Sequence, residues 1–165
     1  ASQSPFRIGR VAAVDGASRL AMFCGGTLAE GWACYATDLM EEHGFLSDLE
    51  RVAQQHTRVR QLARAVVDIE LHQKSLTLDE AQWFYQHQAG LTPAAARTET
   101  IKNSMFPGTA IMYWLGTEGI HRLRGARQTA EGAGFTLRRF HDHLLGYGAV
   151  PVALIAELFQ EEDGG

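Results

Sequence analysis

Cysteine is nearly absent. Cys24 and Cys34 are the only two in 165 residues, ten positions apart, so neither a C-x-x-C redox motif nor a zinc ribbon can be built, and both read as buried thiols. Long apolar runs are missing too: the longest, AVPVALIA from Ala149 to Ala156, falls far short of the roughly 20 residues that cross a bilayer as a helix. No membrane partner is expected. Charge of one sign is lacking, since 15 basic and 19 acidic residues give a formal net charge of −4. The arginines are interleaved with apolar positions, which argues against nucleic acid as a partner. Sustained period-two alternation is absent, and the β-branched residues sit in helical stripes, so no substantial sheet is expected. Also missing are H-E-x-x-H, G-x-S-x-G and a glycine-rich phosphate loop ending in Lys-Ser/Thr. The opening residues ASQSPFRIGR lack an initiator Met and a secretory apolar core. They read as the front of a cut chain, with the cytoplasm favoured over the periplasm as compartment.

What is present is an ordinary globular composition, 45% hydrophobic and 21% charged, long enough to bury about two-thirds of the unfolded chain's surface. The reading is one helical domain over residues 1–165, all-α, with about seven helices. Ser47 with Glu50 and Thr77 with Glu80 form S/T-x-x-E capping boxes, while Pro93, Pro107 and Pro151 sit where a first helical turn accepts proline. From Leu49 to Val67 the apolar positions keep three-and-four spacing and define the longest helix. Further helices are expected over about 29–43, 78–89, 94–103, 108–130, 137–145 and 151–159.

Several side chains on these helices carry chemistry, each with a plain structural alternative. Glu30 opens the apolar segment EGWACYATDLM. It is either a helix-start acid favoured by the macrodipole or a buried carboxylate in need of a cation, because a buried charge without a partner costs several kcal/mol, on the order of 3–5. Asp68 and His72 are four residues apart and stack on one helix face. They could ligate a metal, the Asp could orient the imidazole, or they form a plain surface pair. His56 falls on the apolar stripe and reads as a core or interface histidine. Pro107-Gly108 starts a helix whose first N–H groups are ready to hold a carboxylate, and Tyr113 a turn and a half further on is either core or an oxyanion donor. Arg124 and Arg127 form either an anion-binding pair or a solvated face. In F-H-D-H, His141 and His143 point to different faces, which suggests one catalytic histidine and one exposed.

Taken together, EGWACYATDLMEEHG, RAVVDIELH, FPGTAIMYWLG and LRGARQTAEGAGFTLRRFHDHLLGYGAVPVALI resemble, in order and spacing, the C-terminal part of the bacterial domain of unknown function 885 proteins, over about residues 28–158. Those proteins resemble helical zinc metallopeptidases of the gluzincin kind, in which H-E-x-x-H supplies two histidine ligands and a general base, and a Glu on a following helix is the third ligand. The resemblance implies that Glu30 is that third ligand. It implies that His72, Tyr113 and His141 line the cleft and steady the tetrahedral intermediate. With them, Arg124 is taken as a catalytic candidate beside Tyr113 and His141, and Asp68, Pro107 and Gly108 as substrate-binding candidates beside His72. Common members carry Glu where this chain has Thr37, and Arg-Tyr ahead of Pro-Gly where it has Lys102-Asn103.

All seven histidines follow Glu30, so the chain does not assemble the family's zinc site alone. The expectation is the C-terminal portion of a zinc-dependent hydrolase acting on a peptide or a small amide or ester. On its own it would be inactive, completed by an N-terminal segment or self-associating through uncovered apolar faces. The alternative is a non-catalytic helical module that binds a small molecule or a protein.

Overall fold

A computed structural model describes residues 26–164, and the side chains up to residue 160. Among the described residues there are seven α-helices and one short 3-10 turn, and no strand. The helices are α1 (Gly26–Glu42), α2 (Asp48–His72), α3 (Leu78–His87), α4 (Pro93–Met105), α5 (Ile111–Glu131), α6 (Leu137–Gly146) and α7 (Val152–Gly164), with the 3-10 turn at Gly132–Gly134. The all-α class expected from the sequence is the class observed. Cys24 lies outside the described residues, and Cys34 is buried.

The chain divides into two compact units, one built on residues 36–114 and the other on the described residues 26–35 and 115–164. In the first, α2, α3 and α4 pack on one another. Ser47 and Thr77 each accept the N–H of the residue three on while Glu50 and Glu80 reach back, completing both capping boxes, and Thr92 caps α4 through Ala95 with Pro93 behind it. Each cap contributes about 1 kcal/mol. The core is Ala63, Val67, Ala81, Tyr85, Ala89 and Ala96, edged by Leu71, Phe84 and Leu91. The small side chains let the helices approach closely, and Tyr85 fills the remaining space.

The stripe read along α2 turns out to be two faces. Ala63 and Val67 are buried, whereas Val52, Val59, Leu62 and Val66 are exposed. His56 is also exposed, so it is not a core histidine; the buried side chain on that turn is Gln54, whose amide donates to Asp38 at 3.0 Å. Period counting alone cannot separate these faces, because three-and-four spacing drifts around a helix of 25 residues.

In the second unit α1 and α5 meet backbone to backbone. A Cβ on Gly116 would lie 1.8 Å from the Thr27 carbonyl oxygen, and one on Gly31 would lie 2.4 Å from the Gly116 carbonyl carbon. No side chain fits at either position. Thr27 also accepts, through Oγ1, the N–H of Val152 at 3.1 Å and so caps the start of α7. Around this joint Leu28, Tyr35, Ile120, Phe140, Leu144, Ile155 and Phe159 are buried.

Gly116→Ala should therefore destabilise the chain by about 3 kcal/mol or more, since the overlap is with backbone that cannot rotate away. Gly125→Ala, on the same helix in open space, should be neutral or stabilising by up to roughly 1 kcal/mol. Thermal or urea unfolding of the two variants checks the contrast; equal effects would remove the close-contact account.

Candidate functional site

The predicted site residues fall in both units: Asp68, His72, Pro107, Gly108 and Tyr113 in residues 36–114, and Glu30, Arg124 and His141 in the other. Each group is described within its own unit.

Asp68 is 2% exposed and its carboxylate is fully engaged. Oδ1 accepts the Gly108 N–H at 2.9 Å, Oδ2 accepts the Ala110 N–H at 2.8 Å, and the His72 Nδ1 stands 3.1 Å from Oδ1. The same His72 nitrogen is 2.7 Å from the Asp68 backbone carbonyl, which orients the ring along the helix and leaves Nε2 as the other ring nitrogen. The N–H groups after Pro107 do hold a carboxylate, and it belongs to the chain itself. This also moves the start of α5. The sequence places it near residue 108, but residues 107–110 form a turn, with Gly108 at φ 75°, and the helix begins at Ile111. Asp68 holds the Gly108 and Ala110 amides in that turn, and a side chain at position 108 would be strained by the positive φ.

Beside it lies a second polar knot. Asn103 donates through Nδ2 to the Tyr85 hydroxyl at 2.8 Å and to the Arg64 carbonyl at 2.9 Å. Tyr85 is completely buried, and burial above all, then the Glu99 charge, pushes its phenol well above the usual range, with Arg64 opposing. Arg64 Nε and Glu99 Oε2 are 3.1 Å apart, an ion pair that lacks hydrogen-bond alignment. The Arg64 guanidinium stands 5.5 Å from the centre of the Tyr113 ring. Tyr113 is thus half-buried against a cation.

In the other unit Tyr35, completely buried, is the centre. Its hydroxyl is 2.9 Å from His141 Nε2, its ring meets those of His121 and His141 edge-on at 5.0 and 5.6 Å, and the Arg124 guanidinium lies 6.0 Å from the ring centre. Trp32 packs edge-on against His141 at 5.3 Å. His141 titrates below its ordinary value of 6.5 because burial disfavours the charged ring, Arg124 adds like-charge repulsion, and Asp142 only partly opposes both. The cluster is a neutral imidazole and a phenol beside a cation, a set able to donate to a developing oxyanion.

Arg124 and Arg127 do not form a pair. Arg127 donates to Glu131 at 3.0 Å and lies 5.4 Å from the Phe159 ring centre, and Arg139 holds the same Glu131 below the usual carboxylate range. His141 and His143 do diverge, but His143 is not an exposed histidine: it is half-buried, 3.1 Å from the Tyr147 hydroxyl and packed on Phe159 with ring centres 4.2 Å apart. Glu30 sits half-buried in the second turn of α1, where the macrodipole has mostly faded. No hydrogen bond or ion pair reaches it among the described residues. Likewise no group of three His, Cys, Asp or Glu side chains there could hold a metal ion. Trp32, Tyr35 and His121 were not singled out by sequence reasoning for chemistry. Only the spacing of His121 and Arg124, three apart on one helix face, hinted at their shared surroundings.

An all-helical body carrying one buried Asp–His–amide knot and one Tyr–His–Arg cluster defines the class. The chain belongs to the DUF885 family, "bacterial protein of unknown function", whose sequence model matches residues 8–158. Two solved structures share the fold, each described as a "putative lipoprotein". One, from Shewanella oneidensis and of unknown function, superposes with a TM-score of 0.79 at 24% identity, covering 90% of this chain and 27% of the other. The second, from Colwellia psychrerythraea, gives 0.77 at 29% identity, covering 85% and 24%. The chain thus spans about a quarter of the length of these structures. None of the curated proteins matches it.

Two outcomes test these clusters. Asp68→Ala, which strips the acceptor from two N–H groups and frees His72, should cost about 3 kcal/mol in unfolding free energy; a cost below about 1 kcal/mol would show the turn holds itself. For His141, the unfolded chain binds the proton more readily than the folded one, so the stability tied to this ring is complete above about 6.5 and falls as pH drops below that value. Arg124→Gln should move the His141 midpoint upward, read by NMR titration.

Proposed function

We propose that this chain is the C-terminal portion of a zinc-dependent hydrolase-like protein, to which it contributes one metal ligand and part of the substrate cleft. The observation that carries the reading is Glu30, a half-buried carboxylate with no partner among the described residues. It stands where the E-G-W-A resemblance puts the third ligand of a gluzincin-like site. One carboxylate is not the four-donor set that zinc takes. The described residues therefore do not fit the metal by themselves.

What this chain's own residues offer is polar lining. Tyr113, His141 and Arg124 are the candidates for steadying negative charge on an amide or ester substrate, and His72, anchored by Asp68, for orienting it. The coverage of about a quarter of two longer relatives supports a larger whole, and their description as lipoproteins supports a location outside the cytoplasm rather than the cytoplasmic one the sequence favours. The exposed apolar residues of α2, Val52, Val59, Leu62 and Val66, favour a completing segment or self-association.

A second reading has its own observation. Leu115, Leu123, Ala126, Val152 and Ala156, together with Thr27, line an apolar groove of about 410 Å³ within the second unit. That favours a non-catalytic module holding an apolar small molecule or a protein segment.

The two readings separate on metal content. A protein that joins this chain to a segment carrying H-E-x-x-H should bind zinc one to one, and Glu30→Gln should lower its zinc affinity by roughly 10-fold to 100-fold or more. Titration against a chromophoric chelator measures this. Unchanged affinity in Glu30→Gln would remove Glu30 from the ligand set and leave the binding-module reading.

A further inference from the structure

His141 has two ring nitrogens, and the proposed role of this residue depends on which one faces a ligand. The structure assigns Nε2 to Tyr35, whose hydroxyl lies 2.9 Å away; we propose that Tyr35 is the positioning residue of His141, fixing the imidazole as the Nδ1–H tautomer so that only Nδ1–H is offered to a substrate. This rests on the reading of His141 as part of the cleft.

Three observations converge on that assignment. The contact joins residues 106 positions apart, so it is made by the tertiary fold and not by local helix geometry. Tyr35 is completely buried, and a neutral phenol is a much stronger hydrogen donor than a neutral imidazole N–H, while the imidazole nitrogen is the stronger base. The proton therefore sits on the phenol oxygen and points at Nε2, which makes Nε2 the acceptor and Nδ1 the protonated atom. The ring also has little freedom to flip: Trp32 and Tyr35 meet it edge-on at 5.3 and 5.6 Å, and Phe140 packs on it at 5.5 Å.

On balance, burial and the charged groups around the ring act in the same direction. Arg124 on α5 repels a second ring proton, with burial as the larger effect, while Asp142 on α6 opposes them and is outweighed. His121 on α5 meets the Tyr35 ring edge-on. A His141 held neutral and singly protonated at Nδ1 gives a substrate oxygen an N–H donor without a formal charge. This favours ligands whose oxygen gains charge during reaction over ligands that arrive as fixed anions. Tyr35 would not touch the ligand; it would act through His141 alone.

The test is nitrogen-15 NMR of the imidazole rings in the histidine-labelled chain, comparing the parent with Tyr35→Phe and with His141→Gln to assign the signals. The parent should show a protonated Nδ1 and an unprotonated Nε2 for His141. In Tyr35→Phe the pattern should shift toward Nε2–H, the form an imidazole prefers in water, with the amide spectrum otherwise retained. An Nε2–H ring in the parent, or an unchanged Nδ1–H ring in Tyr35→Phe, overturns the proposal. Should Tyr35→Phe fail to fold, Trp32→Phe, which keeps the hydroxyl contact, must preserve the Nδ1–H pattern, and loss of it there overturns the proposal equally. In the metal-loaded longer protein, Tyr35→Phe should lower kcat with KM unchanged. If His141→Gln leaves hydrolysis untouched while the tautomer result holds, the hydrolase reading fails and the positioning inference stands.

Discussion

A fully buried carboxylate must find donors inside the fold, and Asp68 finds them 40 and 42 residues away in the Gly108 and Ala110 amides. Much of the 36–114 unit follows from this. The turn after Pro107 is held open instead of winding into helix, α5 starts at Ile111, and the last turn of α2 is tied to a distant part of the chain. His72, one turn beyond Asp68, has its Nδ1 drawn to the same residue. An unpaired charge at that depth would cost several kcal/mol, on the order of 3–5. With two amides and an imidazole around it, the charge becomes a clamp.

The other unit depends on an absence of side chains. Gly31 and Gly116 let two helices touch through their backbones, so α1 delivers Trp32 and Tyr35 to α6 at a fixed depth. One and four residues past Gly31, those rings close around His141. The polar cluster is thus positioned by a glycine contact that has no chemistry of its own. Thr27, one turn before Gly31, adds the cap on α7 through the Val152 amide, so the same stretch of α1 serves packing, capping and the cluster.

Local signals proved the most legible part of the sequence. Ser47-Glu50, Thr77-Glu80 and Thr92-Pro93 each mark a helix start with short-range hydrogen bonds that need no tertiary context. The Asp68–His72 pairing is also local, four residues on a helix. What escaped was rotation and distance. Along α2 the stripe that reads as one face splits, Ala63 and Val67 inward and Val59 and Leu62 outward, because the periodicity does not say how many faces have partners. His143, read as the exposed member of its pair, is covered by Tyr147 and by Phe159 from another helix. Glu30 remains the residue whose meaning rests on what other chemistry surrounds it.

By itself the sequence determined an all-helical chain, the capped beginnings of its helices and the family to which it belongs, because these rest on contacts within a few residues and on the order of motifs along the chain. Only the tertiary structure decided that Asp68 fills the amide nest after Pro107 and that Tyr35 occupies His141 Nε2. Each of these joins groups whose approach is set by how helices pack. Residue type sets what a side chain can bond to, and packing sets which partner comes within 3 Å, roughly the length of a hydrogen bond.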